Sequence, residues 1–212
     1  MNIVTDYNLL SERSDEIDVK KENKLLRKII TELKEVVKEN NLTGLAAPQL
    51  GYNKRVFVVN FKGKLTTYVN PVITSAKNMG LAKENCPSFP DKMYLHPRYS
   101  EVIIVFQNPL GKATSQKLLG LAAIVCQELC DHLDGLVLPD IGLEIDDLFD
   151  KASQEEQDEV IKAYLESLDM SRKELQEEIE QDPDAKTMSD AIRFMESVRS
   201  GETKIQVETV KV

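Results

Sequence analysis

The sequence predicts an α+β domain followed by an acidic, mostly helical extension. Three observations carry this. Apolar residues recur at helical spacing near both ends of the first 142 residues, short β-rich runs fill the interval between, and the charge balance changes sign near residue 143.

Taken in order, residues 8–17 read as a short polar turn region. Residues 21–40 read as an amphipathic helix, because Leu25, Leu26, Ile29, Ile30, Leu33, Val36 and Val37 fall three and four apart; Asn40-Asn41 supplies the stop. Gly44 to Gly51 reads as a small-residue loop. Val56–Asn60, Thr66–Val69, Val72–Thr74 and Val102–Phe106 read as strands, with turns at Asn53-Lys54, Lys62-Gly63 and Asn108–Gly111. Residues 115–134 read as a helix through Leu118, Leu119, Ala122, Ala123, Val125, Cys126, Leu129 and Leu133, with Gly135 past its end. Beyond residue 143, Ser153 is positioned to cap a helix over 154–168 with Val160, Ile161, Tyr164 and Leu165 as its stripe. Ser171 with Glu174 is a capping-box pattern for a second helix to about Gln181, broken at Asp182-Pro183-Asp184. Ser189–Ser200 reads as a third helix, and Thr203–Val212 as a last strand.

Composition narrows the function classes. Apolar residues make up 42% and charged residues 30%, a globular balance rather than a disordered one. No apolar run approaches the roughly 20 residues of a membrane helix, so no membrane role is expected. The first residues lack a basic segment leading into an apolar stretch, so no secretion signal is expected. Three cysteines, an odd number, fit free thiols in a reducing, cytoplasmic setting. The net charge of −9 is uneven: residues 1–140 hold 18 Lys and Arg against 16 Asp and Glu, whereas 141–212 hold 9 against 20. An extension this acidic would repel phosphates, so no nucleic-acid partner is expected.

Three segments carry chemistry. They are Gly44-Leu45-Ala46-Ala47-Pro48-Gln49, then Glu84-Asn85-Cys86-Pro87-Ser88-Phe89-Pro90, then Gln127-Glu128-Leu129-Cys130-Asp131-His132-Leu133-Asp134-Gly135. In this order and spacing they resemble the three signature motifs of peptide deformylases, which remove the formyl group from the initiator methionine of new proteins with a bound divalent metal. Lys54–Val59 and Tyr68-Val69-Asn70-Pro71 look similar too. The resemblance implies a deformylase-like domain over 1–142, with short β-sheets around a central motif helix, and leaves 143–212 as the extension. It also implies a substrate cleft at Gly44, Leu45, Gln49 and Cys86.

The departures from the family pattern matter more than the matches. The family's third motif reads His-Glu-x-x-His on a helix, so its two histidines face the metal together, a cysteine completes the ligands, and the glutamate handles the proton of the attacking water. Aligned without gaps, Cys86 and His132 match, Glu128 stands for the first histidine, and Leu129 stands for the glutamate. Leucine exchanges no proton; losing such a group costs about 10²–10⁴-fold. Pro87 replaces a leucine whose N–H helps hold the oxyanion, and proline has no N–H; one such donor is worth about 10²–10³-fold. Gln49 stays where the other donor lies. Leu42 replaces a glycine beside the cleft. Shifting the register to pair Gln127-Glu128 with His-Glu would turn the two ligand positions roughly 140° apart on the helix.

Gln49, Pro87 and Leu129 are thus read as vestigial catalytic positions, with no catalytic residue expected. Cys86, Glu128 and His132 could still hold zinc or iron, since thiolate, carboxylate and imidazole all ligate it. Alternatively, Glu128 only hydrogen-bonds His132 or a nearby arginine, and no cofactor is bound. Cys126 and Cys130 read as core residues, His96 as a surface or turn histidine, Asp131 as the partner of an arginine or an amide. The function expected is that of a degenerate deformylase-like protein serving as a binding or structural subunit, with a protein partner or assembly, of which a phage virion is one form. The alternative is an active metal-dependent deformylase with a Cys/Glu/His site.

Overall fold

The computed structural model describes residues 2–181 and 208–209. In chain order the elements are α1 (Tyr7–Leu10), α2 (Asn23–Glu39), β1 (Gly44–Ala46), a 3₁₀ turn (Ala47–Leu50), β2 (Val56–Phe61), β3 (Lys64–Cys86), β4 (Phe89–Gln107), β5 (Ala113–Leu119), α3 (Leu121–Leu133), α4 (Leu138–Ile141), β6 (Leu143–Ile145), α5 (Asp147–Lys151), α6 (Gln154–Gln181) and β7 (Glu208–Thr209). The strands form a sheet in the order β1-β2-β3-β4-β5-β7, antiparallel except for the β5–β7 pair, and β6 joins β4. This is the expected α+β class.

Helix α2 forms where its period places it. Its stripe Leu26, Ile29, Ile30, Leu33, Val36 and Val37 packs on Leu45, Val56, Val58 and Val69 of one sheet face. Asn41, at φ 52°, turns the chain out of the helix, a conformation asparagine tolerates. On the other face, Phe57 stacks on Tyr68, and Phe106 packs tilted against Tyr68. Helix α3 lies against them through Ala122, Ala123, Cys126, Leu129 and Leu133. At the end of α3, Gly135 takes φ +73°, and a Cβ there would sit 2.5 Å from the Ser11 carbonyl oxygen. Only glycine fits that position.

Several elements differ from the sequence reading. Residues 115–119 are not the start of α3 but the end of β5, paired with Glu101–Val105. Gly120 breaks the chain between them at φ 59° and ψ −132°. The small-residue loop is a strand followed by a 3₁₀ turn; the strand pairs Gly44 with Val59 and Ala46 with Phe57. The polar turn region at 8–17 holds α1 and a single bridge from Asp15 to Lys54. The strands at 66–69 and 72–74 belong to one element of 23 residues, and 102–106 is the last part of β4. Bulges between Val69 and Val72 and between Ile73 and Ser75 interrupt their alternation. Leu42 is partly buried and packs against the α2 cluster.

Helix α6 runs unbroken to Gln181, so Ser171 lies inside a helix instead of capping a second one. Ser153 does cap it: its Oγ accepts from the Glu156 N–H at 3.3 Å, and Glu156 Oε2 accepts from the Ser153 N–H at 2.8 Å. The helix expected at 189–200 lies outside the described residues. Of the strand expected at 203–212, Glu208 and Thr209 are described, beside Gln116 and Lys117. Among the described residues no helix is long and apolar enough to cross a membrane.

Candidate metal centre

The site is assembled from three places in the chain. The hairpin of β3 and β4 closes at Pro87-Ser88, with Cys86 opposite Phe89. Proline pre-sets the first turn position, so the thiol is delivered at the very end of β3. Helix α3 delivers Glu128 and His132, one turn apart on the same side. The 3₁₀ turn delivers Gln49.

These side chains converge. Cys86 Sγ lies 3.2 Å from His132 Nε2. Glu128 Oε1 lies 3.8 Å from the same nitrogen. All three donor atoms fall within 4.8 Å of one another. Gln49 Nε2 donates to Cys86 Sγ at 3.4 Å and to Ser88 Oγ at 3.3 Å, while its Oε1 accepts from the Ala46 N–H at 2.9 Å. Cys86, Gln49, Ser88 and His132 are buried, and Glu128 keeps a narrow opening to solvent, with its side chain 16% exposed.

Burial dominates the electrostatics. It pushes the Cys86 thiol up to about 12, reinforced by the neighbouring Glu128 charge and opposed by the Ser88 and Phe89 amides. It pushes Glu128 up to about 8, with Glu84 adding to the rise and Arg98 opposing it. It holds His132 down at about 4, with Arg98 acting in the same direction. Alone, the cluster therefore rests as thiol, carboxylic acid and neutral imidazole, each avoiding a buried charge.

A divalent cation suits this donor set. Zinc bonds of about 2.0–2.3 Å in a tetrahedron put ligand atoms about 3.3–3.8 Å apart, close to the 3.2 Å and 3.8 Å separations from His132 Nε2 to Cys86 and Glu128. His132 Nδ1 finds no hydrogen-bond partner among the described residues, so it lacks the acceptor that usually orients a ligating imidazole. The donors fit a metal; the support behind the histidine is thin.

The remaining residues singled out in the sequence fall as follows. Gly44 starts β1, where a Cβ would lie 2.6 Å from Leu129 Cδ1. Leu129 is buried in the core between α3 and the sheet and reaches toward Gly44. Leu45 is buried on the opposite, α2-facing side, so its backbone alone is available to a cleft. Pro87 forms the hairpin turn. Cys126 and Cys130 are buried core thiols. His96 is not in a turn but on β4, with Nδ1 2.7 Å from the Ile141 carbonyl oxygen and 2.9 Å from the Tyr164 hydroxyl. Asp131 pairs with an arginine, Arg98. Sequence reasoning passed over Ser88, Glu84 and Arg98. Glu84 and Ser88 stand within the second motif, each two residues from Cys86, and that proximity was the available signal.

The model of the polypeptide deformylase family matches residues 1–143. A peptide deformylase of Pelotomaculum thermopropionicum is 34% identical over 129 residues, 61% of this chain and 82% of that protein. One from Dictyoglomus turgidum is 31% identical over 126 residues, 59% of this chain and 82% of that protein. The crystal structure of peptide deformylase from Thermotoga maritima superposes with a TM-score of 0.61 at 30% identity, covering 66% of this chain and 95% of that one. With the three motifs, the sheet wrapped on a central helix and these likenesses in agreement, the chain belongs to the polypeptide deformylase family.

Proposed function

We propose that this deformylase-family chain binds its target rather than cleaving it. One observation carries the reading: Leu129, at the position of the proton-handling glutamate, is an aliphatic side chain packed into the core. Pro87 supports it, since the turn beside Cys86 offers no N–H at that residue to a developing oxyanion. Gln49 directs its amide hydrogens at Cys86 and Ser88.

A metal held by Cys86, Glu128 and His132 would supply Lewis acidity toward a carbonyl group. Within that site Glu128 acts as a ligand, and Cys86 is oriented by Gln49 and by the Ser88 and Phe89 amides. Binding could use the surface beside the hairpin, where a groove of about 690 Å³ is lined by Asn85, Met93, Ile145 and Leu148 between the ion pairs Lys83–Asp150 and Lys92–Glu144. The partner is a protein segment, and the acidic side chains Glu144, Asp146, Asp147 and Asp150 that line the groove contribute to its docking surface.

The convergence of the three donors favours one other reading, a metallohydrolase of altered specificity in which a different group serves as base. One preparation decides between them. Protein purified without chelator is analysed for metal and assayed for formate release from formyl-methionyl peptides. The binding reading expects no turnover whether or not metal is present. Stoichiometric metal with turnover at ordinary enzymatic rates overturns it in favour of the hydrolase.

A further inference from the structure

Cys86 and the Glu128–His132 pair sit on different elements, and one buried side chain ties those elements together. Arg98, on β4, is 5% exposed. Its Nε donates to Glu84 Oε1 at 2.7 Å and its Nη2 to Glu84 Oε2 at 3.0 Å, a two-pronged fork. Its Nη1 donates to Asp131 Oδ2. Glu84 lies two residues before Cys86, and both are buried with exposed Asn85 between them at the end of β3. Asp131 immediately precedes His132 in α3. A single planar guanidinium therefore spans from the strand that ends in the thiol to the helix that bears the imidazole and the carboxylate.

An ionic cluster is a costly way to fill such a space. Apolar side chains of similar volume are often as stabilising as a buried ion pair, or more so. What the cluster provides is direction: the fork accepts one relative placement of the two carboxylates, and a lysine cannot reproduce it. We propose that Arg98 is a positioning residue that holds the Cys86 hairpin against α3 and thereby sets the separation of Cys86 from Glu128 and His132. The brace exists with or without a metal; only its consequence for metal binding rests on the metal-site reading above.

The test uses the full chain with Arg98→Lys and Arg98→Met. The first measurement needs no metal: the alkylation rates of Cys86, Cys126 and Cys130 are followed by peptide mapping in the native protein. Cys126 and Cys130 are buried in α3 and serve as controls within the same molecule. The expected result is that Cys86 reacts about tenfold faster or more in the variants while the two helix cysteines keep their rates, because the opening is local. Equal acceleration of all three, or an unchanged Cys86 rate in folded Arg98→Lys, overturns the proposal. Should Arg98→Met not fold, Arg98→Lys keeps the charge without the fork and decides alone. The second measurement uses cobalt(II) as the probe. Arg98→Lys is expected to bind it about 10–100-fold more weakly, with an altered d–d band. Identical affinity and band shape would overturn the proposal. If the unaltered protein takes up no cobalt, the metal-site reading fails, and the thiol rates still decide the role of Arg98.

Discussion

Restoring three side chains together, Glu128→His, Leu129→Glu and Pro87→Leu, should convert this chain into a working deformylase. The proton-handling group is worth about 10²–10⁴-fold. The backbone donor is worth about 10²–10³-fold. If independent, the two amount to about 10⁴–10⁷-fold, or about 5–10 kcal/mol of barrier at about 1.4 kcal/mol per decade. Groups that act on one transition state rarely contribute independently, so a gain near the low end, about 10⁴-fold, is the expectation. Stability will suffer, because Leu129 is 1% exposed and sits among the residues that join α3 to the sheet. Removing its burial costs about 1.5–3 kcal/mol, and burying a carboxylate there adds to that. Bound metal offsets part of the loss, because it binds only the folded state. The assay is formate release from a formyl-methionyl peptide, with metal content measured on the same sample and folding followed by thermal melting. Glu128→His alone should bind metal and turn over little. Unaltered protein that cleaves within tenfold of the triple variant would refute the reasoning. A folded triple variant that binds no metal would show that the three positions are not the family's ligand and base positions.

Three further outcomes are expected. Gly44→Ala should destabilise by about 1–3 kcal/mol in urea melts, since its Cβ would lie 2.6 Å from Leu129 Cδ1 and 3.2 Å from the Val58 carbonyl oxygen. The loss should shrink in a Leu129→Ala background, as a double-mutant cycle would register. The pH dependence has an unusual sign: Glu128 has a folded pKa of about 8, above its unfolded value, so its contribution is fully present below about 4.5 and is lost as pH rises through 8. His132, depressed to about 4, works in the opposite direction but only up to its unfolded value near 6.5. Metal-free protein should therefore lose about 1–2 kcal/mol between pH 6.5 and 8, and Glu128→Gln should abolish that slope in denaturant titrations. Finally, Tyr164→Phe removes a hydroxyl that donates to the Ile141 carbonyl at 2.6 Å and meets His96. Faster amide exchange over 154–164, with about 1 kcal/mol lost, is expected; unchanged exchange would mean that α6 is held by other contacts.

What the sequence revealed depended on how local the cause was. Helix α2 was legible because its apolar stripe is continuous. The Glu128–His132 juxtaposition was legible because helical spacing alone sets it. Cys86 joined them only through the family resemblance, as nothing local relates β3 to α3. The start of α3 was misplaced because Leu118 and Leu119 continue its apolar pattern, although they belong to β5; Gly120, whose backbone only glycine adopts readily, was the overlooked signal. The length of β3 and β4 was hidden by bulges and by polar, glycine- and proline-bearing stretches, Lys77–Gly80 and His96-Pro97 among them. The Glu84–Arg98–Asp131 brace could not be read, because it depends on the hairpin register. Arg98 stands opposite Gly80 and reaches Glu84 diagonally, across a pairing that no local pattern encodes.

On the binding reading proposed above, helix α3 also explains how such a fold would outlast its chemistry. One side of it, with Cys126, Leu129 and Leu133, builds the core; another, with Glu128, Asp131 and His132, meets the hairpin. A glutamate at position 129 would place an ionisable group among those core residues, a stability cost tolerated in an enzyme for the sake of proton transfer. Leucine reverses the trade: it adds about 1.5–3 kcal/mol of burial and removes the proton acceptor in the same step. Position 128 is different, because its side chain keeps contact with solvent and faces two potential co-ligands, so a carboxylate there preserves a donor. The two adjacent substitutions therefore pull apart functions that the family motif combines. On the binding reading, one keeps a place for a metal, and the other gives up the proton transfer that would make a metal hydrolytic.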